Sequence, residues 1–258
     1  MDYNRSIIVI SEGVNQSKLT TQLEPIRLSQ NRGLAIKSIF HGTVFNINKN
    51  NKYIHYKMPN IGSRISEVDI DQLDENYFYI PEGNYPTTLS VVEAIEQKFK
   101  EVYPSGSRVP LPKFEVVQTR KKGVININIS DLFIRVSNRR GTPWNMLTIS
   151  NDISEGIDIK IKNVDFSKWL MPSFLYVNIV ESSYIKGKLS RNLSTIPLQL
   201  KNGWSYYEFP NPIYCSIDVQ EFSKILLEIR DMDGDYVTFD PSFKTILTLH
   251  INTINTSK

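Results

Sequence analysis

The chain has 258 residues, of which 40% are hydrophobic and 22% charged, with 30 Lys and Arg against 27 Asp and Glu for a net charge of +3. That hydrophobic fraction supports a packed core and excludes a disordered chain, and the length suits one large β domain with an insertion or two smaller domains. No apolar run approaches the roughly 20 residues that cross a bilayer, and so mild a charge falls short of the dense basic footprint of charge-driven nucleic-acid binding.

At the amino end Ile7–Ile10 is a short apolar patch, too brief and too soon interrupted by Ser11-Glu12-Gly13 for a signal peptide, so the expected compartment of folding is the cytosol or nucleus. A single cysteine, Cys215, forms no internal disulfide and reads as a half-buried strand residue rather than a nucleophile. In such a compartment the sequons at Asn15, Asn128, Asn192 and Asn255 are expected to stay unglycosylated.

From Lys18 to Gly42 the chain reads as strands. Pro25 lies inside the first and marks it as an edge or bulged strand, because proline gives no amide to a ladder. Asn31-Arg32-Gly33 is a turn, and 34–41 alternates as a second strand that Val44–Ile47 extends. The polar run Asn48–Lys52 marks the first boundary.

Residues 51–150 follow another pattern. Tyr53–Lys57 and Tyr77–Ile80 read as short strands. The acidic stretch Glu67–Glu75 matches no metal-ligand spacing and is better read as a solvated loop. After the turn cluster Pro81–Pro86 comes a helix over Thr88–Val102, with Leu89, Val92, Ile95, Phe99 and Val102 on one apolar stripe. Thr87 or Thr88 can cap it, and Ser90 with Glu93 offers a second capping box. Lys113–Thr119 and Val124–Ser130 then form a hairpin tipped by Arg120-Lys121-Lys122-Gly123, and Leu132–Val136 adds a strand before a second basic tip, Asn138-Arg139-Arg140-Gly141. The two tips can make a phosphate-binding patch, although basic tips also serve simply to keep a loop solvated.

From Gly156 strands run nearly to the end. Ile157–Lys162 alternates strictly, and Phe174–Val180 has the continuous apolar character of a central strand covered on both faces. Tyr184–Ser194 reads as a long polar loop. Asn202-Gly203 predicts a hairpin between Ile196–Leu200 and Trp204–Phe209, and Asp233-Gly234 predicts a two-residue turn within a closing hairpin over Phe222–Ile251. In that hairpin Phe222, Lys224, Leu226, Glu228 and Arg230 are expected on one face, with Ile225, Leu227 and Ile229 on the other. Trp204, Tyr206 and Phe209 suggest either an aromatic platform or, as the better reading, filling between two sheets.

The inventory of reactive groups is sparse. His41, His55 and His250 lie far apart, and Asp231-x-Asp233-x-Asp235 lacks the glycine and glutamate positions of an EF-hand loop. There is no Gly-rich phosphate loop, nucleophile elbow or local Cys–His pair. No catalytic, cofactor-binding or metal-binding residue is assigned, and the chain is expected not to be an enzyme.

Two stretches carry a resemblance. The first is Phe78-Tyr-Ile-Pro-Glu-Gly-Asn-Tyr85, the helix and the hairpin from Phe114 to Ile129. The second is Phe174–Glu181, Leu193–Pro197, Tyr207–Tyr214, Leu227–Asp235 and Ile246–Ile251. Together, from about Tyr77 onward, their order resembles the single jelly-roll penton (minor capsid) proteins of Polinton (Maverick) elements and virophage-like viruses. The resemblance implies a mainly β protein, an antiparallel jelly-roll sandwich with an inserted β-rich segment carrying one amphipathic helix. On this reading 1–50 and 151–258 build the jelly roll and 51–150 is an inserted outer domain with helix 88–102; the alternative is two β domains split near Asn151. The implied function is a structural virion protein forming homopentamers at icosahedral five-fold vertices beside a major capsid protein. It would be made in the host cytoplasm or nucleus, with no membrane span and no nucleic-acid partner expected. The competing function is a monomeric β-sandwich binding module, lectin- or adhesin-like, with an exposed aromatic groove.

Overall fold

The computed structural model describes residues 5–12, 15–28, 31–57, 75–102, 117–119, 124–128, 135–137, 158–162, 164–185 and 188–254. Its contacts divide the chain into two compact units, Met1–Phe45 with Lys168–Lys258, and Asn46–Ser167. The chain opens with β1 (Arg5–Ile10), β2 (Lys18–Arg27) and β3 (Arg32–His41). The second unit contains β4 (Tyr53–Lys57), β5 (Glu75–Tyr79), helix α1 (Thr88–Val102), β6 (Val117–Thr119), β7 (Val124–Asn128), β8 (Arg135–Ser137) and β9 (Asp158–Lys162). The chain then returns through β10 (Leu170–Val177), β11 (Ser183–Ile185), β12 (Lys188–Ser190), β13 (Asn192–Gln199), β14 (Ser205–Glu208), β15 (Cys215–Ser216), β16 (Glu221–Arg230) and β17 (Ile246–Thr253).

In the first unit one sheet has the order β1-β17-β3-β14, with the short β15 also on β3, and the other has the order β13-β10-β16-β2. Every pairing is antiparallel. With the main strands of this unit counted 1 to 8 along the chain, the sheets read 1-8-3-6 and 5-4-7-2. That is the double Greek key of a jelly roll. Apart from β10 and β13, each main strand is followed by one in the opposite sheet.

The inner faces meet in one core. Ile7, Val9, Leu34, Ile36, Ile39, Leu247, Leu249 and Ile251 come from the first sheet. Leu19, Leu175, Val177, Leu193, Ile196, Leu198, Ile225, Leu227 and Ile229 come from the second. Alternation places these residues on one side of each strand, and bulges repair it where the sequence breaks it. In β3 strict alternation would send Ser38 and Phe40 inward. The register instead slips between Thr248 and Leu249 of β17, leaving Lys37 without a partner on β17, so that Ile36 and Ile39 both face the core. A similar slip between Phe222 and Lys224 turns Phe222 inward with Ile225, against the expectation that it shares the face of Lys224. Opposite that slip lies Pro25, on β2 at the sheet edge, where a missing amide is tolerated.

Both glycine turns differ from the expected hairpins. β13 and β14 lie in different sheets, and so do β16 and β17, so neither Asn202-Gly203 nor Asp233-Gly234 joins paired main strands. Gly203 (φ 85°) and Gly234 (φ 90°) do adopt the left-handed conformation, but Asp233 does not, which excludes a type I′ turn. Instead the Asp231 carboxylate accepts the amides of Asp233 and Asp235 at 2.9 and 3.0 Å, and the Asp231 amide donates to the Asp235 carbonyl. Tyr236 and Val237 pair briefly with Arg230 and Ile229 before the chain crosses over. A short apolar patch at the amino end proves to be a strand, β1, pairing along its whole length with β17. The expected polar loop 184–194 contains the small β11–β12 hairpin and the start of β13. β10 stops at Val177, and its outer face leaves Phe174 and Tyr176 half-buried rather than covered.

In the second unit β5-β4-β8 and β6-β7-β9 form two three-stranded sheets. Helix α1 has the expected span, and a reciprocal box starts it. The Ser90 amide donates to Thr87 Oγ1 and the Thr87 amide to Ser90 Oγ, each at 3.1 Å, with serine in the place usually held by glutamate. Its buried stripe is Thr88, Val91, Val92, Ile95 and Phe99, while Val102 at the last turn is exposed. Phe99 meets Phe78 of β5 edge-on, with centroids 4.6 Å apart.

Two glycines of the jelly roll separate strain from crowding. A Cβ on Gly234 would meet nothing within 4 Å, so Gly234→Val costs only the left-handed conformation, about 1–2 kcal/mol. A Cβ on Gly42 would lie 2.4 Å from the Phe243 Cβ, and Gly42→Ala is expected to cost about 1–3 kcal/mol through overpacking. Thermal unfolding should show a fall of roughly 2–4 °C per kcal/mol for each. Unchanged melting in Gly42→Ala would contradict the close packing of Phe243 on Gly42.

Candidate functional site

Alternation and register together create a row on the outer face of the first sheet. Ile10 of β1 pairs with Ile246 of β17, Ile246 with Phe40 of β3, and Phe40 with Tyr206 of β14. Their neighbours Val9, Leu247 and Ile39 face the core, so these four face away from it. Ile10 is 49% and Tyr206 59% exposed. Trp204 stacks on Phe40 with centroids 4.4 Å apart, and Phe243 meets the indole edge-on at 4.8 Å. One step along, Ile8 at 63% exposure begins a second row that continues through Thr248, Ser38 and Glu208. An apolar band of this kind, rimmed by polar groups, is the surface pattern of an interaction site rather than of scattered exposed residues.

The expectation that Trp204, Tyr206 and Phe209 fill the space between sheets therefore holds for one of the three. Phe209 is half-buried and packs on the core, whereas Trp204 and Tyr206 stand outside it. The reason is the crossover at Gly203: β14 joins the first sheet at its edge, and Ser205 rather than an aromatic takes the inward position. The contributions of Ile8 and Ile10 escaped sequence reasoning because the patch was not recognised as a strand. Its alternate exposure becomes meaningful only with β17 beside it.

Other candidate groups are placed as follows. Cys215 is half-buried with Sγ 3.4 Å from the Leu193 carbonyl, and burial, with Glu181 nearby, pushes its thiol pKa up, away from nucleophilic reactivity. Asp231 spends its carboxylate on backbone amides. The basic tips 120–123 and 138–141 lie outside the described residues, as does the acidic stretch apart from Glu75, which opens β5. Among the described residues no group of three or more His, Cys, Asp and Glu is placed to hold a metal ion. No helix among them is long and apolar enough to cross a membrane.

Fold and surface together define the class: a jelly-roll β-sandwich with an inserted β-rich segment carrying one amphipathic helix, and an apolar band on one outer sheet face. No protein-family model matches the chain, and no curated protein matches it. Among solved structures it is similar to the crystal structure of the SeMet-labeled mavirus penton protein, at 12% identity and a TM-score of 0.46, over 97% of this chain and 100% of that one.

Two histidines of the first sheet carry a pH dependence. Burial lowers the pKa of His41 from 6.5, against the hydrogen bond that its Nδ1 makes with the Gly42 carbonyl at 2.7 Å, and Lys201 adds to the lowering. Burial, with Lys37 nearby, also lowers that of His250. A group whose native pKa is depressed binds fewer protons folded than unfolded below 6.5, so stability present above that pH is lost as pH falls toward the native value. The melting temperature should drop between about pH 7 and pH 5, and less steeply in His41→Gln. An identical slope in that variant would remove His41 from the account.

Proposed function

We propose that this chain is a minor capsid protein, a penton that assembles as a pentamer at icosahedral five-fold vertices beside a major capsid protein, and that it resides in the virion. The observation that carries the reading is the strand order 1-8-3-6 and 5-4-7-2. Jelly rolls of this order serve as capsid modules, lectin domains and cupins. A cupin centre gathers histidines and a carboxylate from adjacent strands. Here His41 is buried in β3 beside Phe239, His250 stands level with Ala35 on β17, and His55 belongs to the other unit. The order of strands and turns from Tyr77 onward, which resembles penton proteins, supports the capsid reading over the lectin one. The interpolated unit, set between β3 and β10 in the chain, is then the outer domain of the penton.

Five-fold closure is cyclic and heterologous, so one surface of each copy meets a different surface of the next. The band of Ile8, Ile10, Ile246, Phe40 and Trp204 is suited to be one half of such a contact, since its burial removes apolar area from water. Rings of five are expected in electron micrographs of the concentrated protein or of its particles. Ile10→Asp combined with Tyr206→Asp should abolish the rings while changing fold stability by about 0.5 kcal/mol or less per site, because both side chains are exposed. A particle reconstruction in which another chain fills the five-fold vertices would overturn the proposal.

A further inference from the structure

The two sheets of the jelly roll end differently. The second sheet ends in β13 and β2, and each carries a proline, Pro197 and Pro25, together with a slip in register against its neighbour. β2 adds the exposed charges of Lys18, Glu24 and Arg27. Proline, bulges and charge are the means by which a sheet edge is kept from pairing with another chain. The first sheet ends in β1 and β14, and neither contains a proline or a slip. Among the described residues no strand lies beyond either one. β1 reads Arg5-Ser-Ile-Ile-Val-Ile10 with Ile8 and Ile10 exposed, and β14 exposes Tyr206 and Tyr207.

These two edges are complementary to each other. Every step along the path β1-β17-β3-β14 is antiparallel, so β1 and β14 run in opposite directions. A rotation about an axis along the strands keeps those directions, and it sets β1 of one copy antiparallel to β14 of the next. Antiparallel ladders are the slightly more stable kind. That direction also brings the Arg5 end of β1 to the Glu208 end of β14, cation to anion, whereas parallel pairing would set Glu208 at the Ile10 end. The outward rows match as well. Ile10, Ile246, Phe40 and Tyr206 lie level across the sheet, so a straight continuation places Tyr206 of the next copy beside Ile10. Pairing β1 with β1 of a second copy fits less well, because it opposes Arg5 to Ile10 and closes a dimer rather than a ring.

We infer that copies of this chain join edge to edge, β1 of each adding to β14 of the next, so that their first sheets form one continuous sheet around the ring. The inference rests on the pentamer proposed above and specifies its contact as a backbone ladder with the apolar rows running across the seam. Such head-to-tail addition joins two unlike surfaces, as cyclic closure requires.

Hydrogen exchange followed by mass spectrometry, on the full chain both dilute and assembled, reads that ladder. In rings of five the amides of 5–10 and 205–208 are expected to exchange about tenfold or more slowly than in the dilute chain, while those of β2 and β13 keep their rates. A second measurement uses thiols. Ile10 and Tyr206 of one copy are three strand spacings apart, roughly 14 Å, too far for a disulfide within the chain. With Cys215→Ser removing the native thiol, Ile10→Cys and Tyr206→Cys together should oxidise to covalent species up to the pentamer, and either alone should not. Ile8→Cys in place of Ile10→Cys covers a stagger of two residues. Rings of five without slower exchange in both strands, bridging by Ile10→Cys alone, or no bridging in either pair would overturn the edge contact and leave the penton reading standing. A chain that forms no rings, alone or in particles, would overturn both.

Discussion

The jelly roll depends on β16 and β17 lying in opposite sheets. Ile225, Leu227 and Ile229 line one inner face, and Leu247, Leu249 and Ile251 line the other. Each strand is interior to its sheet, β16 between β10 and β2 and β17 between β1 and β3, so both ladders are closed on two sides. Had the two paired as a hairpin, they would share a sheet, and neither could bring its neighbours to the opposite face. The segment 231–245 makes the crossover possible. The Asp231 carboxylate fixes the turn, Val44 bridges Phe239, and the Thr43 carbonyl accepts the Asp240 amide as the chain passes to the first sheet.

Closing that core leaves the outer faces to be resolved by composition. The first sheet turns Ile7, Val9, Leu34, Ile36 and Ile39 inward and places Ile8, Ile10, Phe40 and Tyr206 outward. Residues of this kind add nothing to the interior, so their chemistry is available for association. β1 and β14 end the sheet at its two edges, and both carry exposed large side chains. Exposed edges favour pairing with another chain.

The second unit obeys more local rules. Helix α1 begins where Thr87 and Ser90 exchange hydrogen bonds, and Thr88 ties its first turn to Val164 through both its amide and its hydroxyl. The loop 81–86 before it is held by similar local bonds. Asn46 holds the Tyr85 backbone in place, and the residue before it, Asn84, is left with its amide turned from solvent and unpaired.

Much of this was legible in the residues. Periodicity located α1 to the residue, because an amphipathic stripe bounded by Thr87 and Pro104 depends only on neighbours within a few turns. Pro25 foretold an edge or bulged strand, but the two bulges were not legible, since 34–41 reads as a regular strand and Phe222 was expected on the face of Lys224. Partnership between strands was not legible. Asn202-Gly203 and Asp233-Gly234 specify a reversal of the chain, and a reversal within one sheet and a crossing between two sheets need the same glycine. The choice is made by the whole core, through the burial of distant strands such as β1 on β17. The outer aromatic band follows from that choice, because alternation says only that Ser205 and Tyr206 point opposite ways. Which side is the interior was decided when β14 joined β3 rather than β13.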